Sequence, residues 1–151
     1  MKRRVVTVRA ATTVQEAVRL VVEEHVGTLP VVDEKGLLIG VVRLQDLLGV
    51  FMPDFVPLLD NIDFVRDFGA LEQVEPGVTP EVGALTMGEL AGPPVAVEED
   101  SGLMHALATI VKRQLQDLPI VDKKGRLVGI ASRVDIAVAF LANRTTEEGR
   151  G

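Results

Sequence analysis

Val14, Ala17, Val18, Val21 and Val22 recur at the i, i+3, i+4, i+7 and i+8 spacing that gathers apolar side chains on one face of a helix. Thr13 and Glu16 stand at its start, three residues apart, the signature of a capping box. The same stripe returns as Leu103, Ala106, Leu107, Ile110 and Val111, with Asp100 or Ser101 placed to cap it. Leu-Pro follows each helix, then a β-branched pair, Val31-Val32 or Ile120-Val121, and then a polar turn ending in Gly36 or Gly125. A second apolar run comes next, so each stretch predicts a hairpin whose glycine supplies a positive φ. The second runs, Leu37–Val42 and Leu127–Ala131, are almost continuously apolar and predict strands covered on both faces. Further helices are predicted over Leu44–Phe51 and Arg133–Leu141, and opening strands over Val5–Val8 and Val95–Val97. Each half therefore reads strand, helix, strand, strand, helix.

These two series are one series written twice. Val5–Leu47 matches Pro94–Ile136 without a gap when 89 is added to every number. The identities fall at Pro30 and Pro119, Asp33 and Asp122, Gly36 and Gly125, Gly40 and Gly129, and Asp46 and Asp135. Prolines, glycines and aspartates constrain the backbone, so what repeats is geometry as well as hydrophobicity. The chain divides into a first repeat (1–51), a connector (52–85), a second repeat (86–142) and a polar tail (143–151) that is expected to fray. Phe55, Phe64 and Phe68 concentrate in the connector, where Leu58, Leu59, Ile62 and Val65 suggest short amphipathic helices expected to pack on this module or on a second subunit. At 151 residues neither half buries much apolar surface alone, so a shared core is expected.

Apolar residues form 47% of the chain and charged ones 25%, a globular composition. No run is long enough to span a bilayer, and the basic Met1–Arg4 start is not followed by a signal-type stretch, so a cytoplasmic, membrane-free protein is expected. The net charge of −6 and the lack of a basic stripe argue against nucleic acid as a partner. Without cysteine there are no disulfides or thiolate metal sites, and His25 and His105 are isolated from further ligands. Neither a nucleophile elbow nor a phosphate loop occurs, so an enzyme is the least supported class and no catalytic cofactor is expected.

The segments Leu29-Pro30-Val31-Val32-Asp33 and Leu118-Pro119-Ile120-Val121-Asp122, continuing through Gly36 and Gly40 and through Gly125 and Gly129, resemble a tandem pair of CBS domains. The resemblance implies an α+β fold of two βαββα repeats packed with pseudo-twofold symmetry, two clefts between them, and pairs that commonly dimerise. It also implies a regulatory module whose cleft takes an adenosine-containing ligand: AMP, ADP, ATP or S-adenosylmethionine. Each cleft in the family is marked by glycine, two apolar residues, Ser or Thr, two residues and Asp. The second repeat fits, from Gly129 to Ser132 and Asp135. By resemblance Ser132 meets phosphate, Asp135 holds the ribose, Arg133 adds charge, and the base lies near Val5, Val6, Val26, Gly27 and Thr28. A hydroxyl at a helix start, beside unpaired amides, suits an anion.

The first repeat has Arg43 where the hydroxyl is expected, three residues before Asp46. A second cleft, built from Arg43, Asp46, Val95, Gln116 and Asp117, is thus either blocked by the arginine or served by its bidentate fork. Ser132 and Asp135 also read as an ordinary capping box needing no ligand. Where both clefts are filled by side chains, the module becomes a structural one for dimerisation or partner docking.

Overall fold

The computed structural model describes residues 4–51 and 79–150, the last seven as backbone alone. The connector aromatics Phe55, Phe64 and Phe68, together with Met1, Lys2 and Arg3, lie outside the described residues. In the first repeat come α1 (Val14–Glu24), β1 (Thr28–Val32), β2 (Leu38–Arg43) and α2 (Leu44–Phe51). Two short helices follow, α3 (Pro80–Gly83) and α4 (Met87–Leu90). The second repeat comprises β3 (Val97–Glu98), α5 (Leu103–Arg113), β4 (Asp117–Val121), β5 (Leu127–Ser132) and α6 (Arg133–Arg150).

Local chemistry accounts for most boundaries. The Thr13 hydroxyl accepts from the Glu16 amide while the Glu16 carboxylate accepts from Thr13 N–H, closing the box that starts α1. At α5 the cap is Gly102 in place of Asp100 or Ser101, and no side chain bonds to it. Both helices end on a left-handed residue, His25 at φ 53° and Gln114 at φ 54°, at equivalent positions of the repeat. In each hairpin turn an aspartate holds the loop. Asp33 Oδ1 accepts from the amides of Lys35 and Leu37, and Asp122 Oδ1 from those of Lys124 and Arg126. Gly36 and Gly125 then turn the chain at φ 83° and 86°.

Several expectations are corrected. The opening strand over Val5–Val8 shrinks to a single parallel bridge between Val8 and Val31, and its counterpart to the two residues of β3. Val22 and Val111, last in the two apolar stripes, are exposed, because the buried face of each helix is narrower: Val14 and Ala17 on α1, Ala106 and Ile110 on α5. The strand covered on both faces is β1, buried at all five positions, whereas β2 alternates and leaves Ile39 exposed. β1 is central, with Val8 on one edge and antiparallel β2 on the other. In the second repeat β4 likewise lies between β3 and β5. The final helix also runs beyond Leu141 to Arg150, since Asn143–Glu148 contains neither Pro nor Gly and extending a formed helix costs little.

Among the described residues the halves do not share a core. One buried cluster gathers Val8, Val14, Ala17, Leu29, Val31, Val42, Leu47 and Met87; another gathers Val97, Ala106, Ile110, Leu118, Ile120, Ala131 and Ile136. Each sheet is covered by helices of its own repeat, so each buried leucine or isoleucine contributes about 1.5–3 kcal/mol within its own half. The exception is Met87, which follows the connector yet sits in the first core with Val82, Leu85, Leu90 and Ala91 packed round it.

Candidate functional site

A twofold relation sets residues near the axis against their own counterparts, and three contacts show it. Leu38 N–H donates to the Gly125 carbonyl at 3.0 Å and Leu127 N–H to the Gly36 carbonyl at 2.9 Å, joining the hairpin tips. Both bonds map onto each other under the shift of 89. At the other end of the strands the buried Thr28 hydroxyl donates to Asp117 Oδ2 at 2.9 Å, across a separation of 89 residues. This bond satisfies a hydroxyl that otherwise sits unpaired in the interior.

Beside it a cavity of about 430 Å³ opens between the repeats. Arg43 enters from the end of β2, Leu44 and Leu48 from α2, Val95 from the strand lead-in, and Leu115, Gln116 and Asp117 from the other repeat. Its back is closed by the antiparallel bridge of Gly92 to Val41, with Gly92 N–H to the Val41 carbonyl at 2.9 Å. The approach is close enough that a Cβ on Gly40 would lie 2.9 Å from Ala91 Cβ. Arg113 and the left-handed Gln114 form the far rim.

The walls are mainly apolar, with two guanidinium groups. Arg43 Nε lies 3.7 Å from Asp46 Oδ2, and the same oxygen accepts the Arg43 amide at 2.8 Å, so Asp46 both starts α2 and orients the arginine. Arg113 has no ion pair among the described residues. Thr28, Gln45, Gln114, Gln116 and Asp117 add polar groups to the same lining. Among the described residues no three His, Asp or Glu side chains are grouped to hold a metal, and no helix is long and apolar enough to cross a membrane.

Of the residues singled out in the sequence, Arg43, Val95, Gln116 and Asp117 meet on this cavity, joined by Gly27 and Thr28. Asp46 stands behind Arg43 and is not on the wall. Val6 and Val26 pack against the first core, and Val5 is half-buried. Ser132 Oγ accepts the Asp135 amide at 3.0 Å, the capping geometry, with Arg133 half-buried next to it. The Asp135 carboxylate is exposed and borders a different hollow, inside its own repeat. The place that Gly92 takes at β2 maps, under the shift, to Arg3 at β5, which is outside the described residues. Leu115, which directly precedes Gln116 and Asp117 in the sequence, lines the cavity with them, whereas Arg113, Leu44 and Leu48 were missed.

The CBS domain family model matches residues 1–53 and 82–142. The chain belongs to the CBS domain family. Among curated proteins it is 31% identical over 141 residues to the chloroplastic CBS domain-containing protein CBSX1 of Arabidopsis thaliana, covering 89% of this chain and 58% of that one. The chain thus spans about three fifths of the length of that relative. Among solved structures it resembles CBSX2 in complex with AMP, at 27% identity and a TM-score of 0.68, covering 95% of this chain and 94% of that one. The cytosolic domain of the Mg2+ channel MgtE in complex with ATP matches at 25% identity and a TM-score of 0.63, covering 89% of this chain and 44% of that one. The two matched stretches are the CBS repeats, and the unmatched 54–81 fall within the connector.

Proposed function

We propose that this CBS pair is a regulatory ligand-sensing module, not an enzyme, and that an adenosine nucleotide binds in the cavity between the repeats. The observation that carries the reading is that one 430 Å³ cavity draws its wall from both repeats and holds Arg43 and Arg113 beside an apolar slot. The base packs between Val95, Leu48 and the backbone of Leu115 and Gln116. The phosphate lies on the two guanidinium groups, so Arg43 replaces the usual hydroxyl with a charged fork. Two cations favour AMP, ADP or ATP over S-adenosylmethionine, whose sulfonium is itself positive. The AMP complex of CBSX2 and the ATP complex of the MgtE domain support this choice of ligand class.

A ligand touching both repeats changes their packing only by the difference in its affinity for two arrangements. The expected output is therefore a change at the joint formed by the Gly92 bridge and the Thr28–Asp117 bond, transmitted to a homodimer partner. Exposed Met104 and Val111 on α5 and Val134 and Val138 on α6 support a second copy on that face. A light-scattering mass in solution checks the dimer.

The deciding experiment is a melt with AMP, ATP, GTP and S-adenosylmethionine. AMP or ATP at 100 times its dissociation constant is expected to stabilise the fold by about 2.7 kcal/mol. Arg43→Ala with Arg113→Ala is expected to remove that stabilisation. If Ser132→Ala with Asp135→Ala removes it while the arginine pair does not, the ligand occupies the other cleft. A protein that no nucleotide shifts at millimolar concentration is instead a structural or partner-docking module.

A further inference from the structure

Adding 89 to Glu16, Glu23 and Glu24 gives His105, Lys112 and Arg113, so three carboxylates on α1 are answered by an imidazole and two cations on α5. All six residues are exposed. Cations in a last turn suit the helix dipole, yet the fold does not require them, because α1 ends on Glu23 and Glu24 with no basic residue in its last turn. The reversal therefore needs a cause outside the helix. Neither Lys112 nor Arg113 has an ion pair among the described residues.

Both cations border a hollow of about 590 Å³ between α5 and the lead-in to β3, and this hollow shares Pro93, Val95 and Arg113 with the cavity between the repeats. The two spaces thus meet at the Arg113 side chain. Beyond it the hollow is lined by Lys112, Thr109 and His105, with no carboxylate on its wall. The Thr109 hydroxyl donates to the His105 carbonyl at 2.8 Å and so has no proton to offer an anion. Lys112, with three ammonium donors on a flexible stem, is the cation next in line after Arg113.

We propose, building on nucleotide binding between the repeats, that the ligand carries more than one phosphate and that Lys112 discriminates an adenosine di- or triphosphate from the monophosphate. The first phosphate lies on Arg43 and Arg113, and the others pass Arg113 and follow the basic edge of α5 to Lys112, where charge-assisted hydrogen bonds meet them. The equivalent edge of α1, with Glu16, Glu23 and Glu24, repels such a chain.

Calorimetric titration of the full chain with AMP, ADP and ATP, without divalent metal, reads the effect. ATP is expected to bind about tenfold more tightly than AMP at low salt, the worth of one further charge-assisted contact, and that advantage is expected to shrink as salt rises. ADP is expected to bind more tightly than AMP as well. Lys112→Glu places the first repeat's residue at an exposed position and is expected to reduce the ATP-to-AMP ratio to about threefold or less. Lys123→Glu makes the same charge change on the exposed hairpin turn and is expected to preserve the ratio. Equal affinities for AMP and ATP, a ratio that Lys112→Glu leaves alone, or one that Lys123→Glu lowers as much, overturns the proposal while nucleotide binding between the repeats stands. If neither nucleotide binds, the nucleotide site itself fails and the role of Lys112 falls with it.

Discussion

The two repeats share a backbone but finish it differently. In the first, the core is closed by Met87 from beyond the connector, and the second helix starts with Asp46 accepting the Arg43 amide. In the second, no described residue covers the equivalent surface, and the helix starts with Ser132 accepting the Asp135 amide. Each helix start uses one half of a capping box, the carboxylate half in one case and the hydroxyl half in the other. The first repeat's choice leaves an arginine at the mouth of the inter-repeat cavity; the second repeat's choice leaves a free carboxylate on the rim of a groove. Copies that fold alike can thus present different chemistry through substitutions at the same few positions.

The largest test of this difference is Met87→Ala. It empties a fully buried site in the first repeat and makes it resemble the second, so a loss of about 2–5 kcal/mol is expected in denaturant unfolding. A cost below about 1 kcal/mol would mean that Met87 does not close the core. Next is Gly40→Ala, whose new Cβ would meet Ala91 Cβ at 2.9 Å and the Gly92 carbonyl at 3.1 Å. Displacing the cavity's back wall is expected to cost about 1–3 kcal/mol and to weaken AMP binding, whereas Gly27→Ala meets no protein atom within 4 Å and should leave stability nearly unchanged. Calorimetric titration of the two variants compares them directly.

Smaller effects distinguish the joint and the caps. A double-mutant cycle of Thr28→Val and Asp117→Asn is expected to give a coupling of about 1–2 kcal/mol, since the buried hydroxyl bonds a carboxylate across the axis. Ser132→Ala removes the cap of α6 and is expected to cost about 1 kcal/mol in thermal unfolding with nucleotide binding retained. The subtlest contrast lies in the hairpin turns. Bonding from the Arg126 backbone amide holds the Asp122 carboxyl below the usual carboxylate range, helped by the Arg126 side chain at 2.9 Å, where the first repeat has Leu37. A carboxyl depressed on folding stabilises the fold above its unfolded pKa, and that contribution disappears as pH falls through the folded value. Arg126→Leu is therefore expected to raise the Asp122 titration midpoint, read by carboxyl carbon NMR, and to reduce the loss of stability in acid.

Much of this was legible in the residues. The capping box at Thr13, the turn glycines, the helix over Leu44–Phe51 and the 89-residue shift all depend on neighbours in sequence, and local interactions suffice to set them. Burial across a strand was less legible: Leu37–Val42 is more apolar than Thr28–Val32, yet β1 is the strand buried at every position. The candidate site was legible in part. Arg43, Val95, Gln116 and Asp117 were identified from the register, but Arg113 and Leu48 become neighbours of the cavity only through the packing of one repeat on the other.

The order of amino acids alone determined the repeat, its hairpins, its helices and its family, because propensity, turn chemistry and periodicity act over a few residues. Only the tertiary structure decided that the halves keep separate cores and that Met87 crosses to the first of them. It also decided that Thr28 spends its hydroxyl on Asp117 across the joint. Those outcomes rest on contacts between segments dozens of residues apart, whose energies depend on shape and desolvation at the joint and are written in no single stretch of the chain.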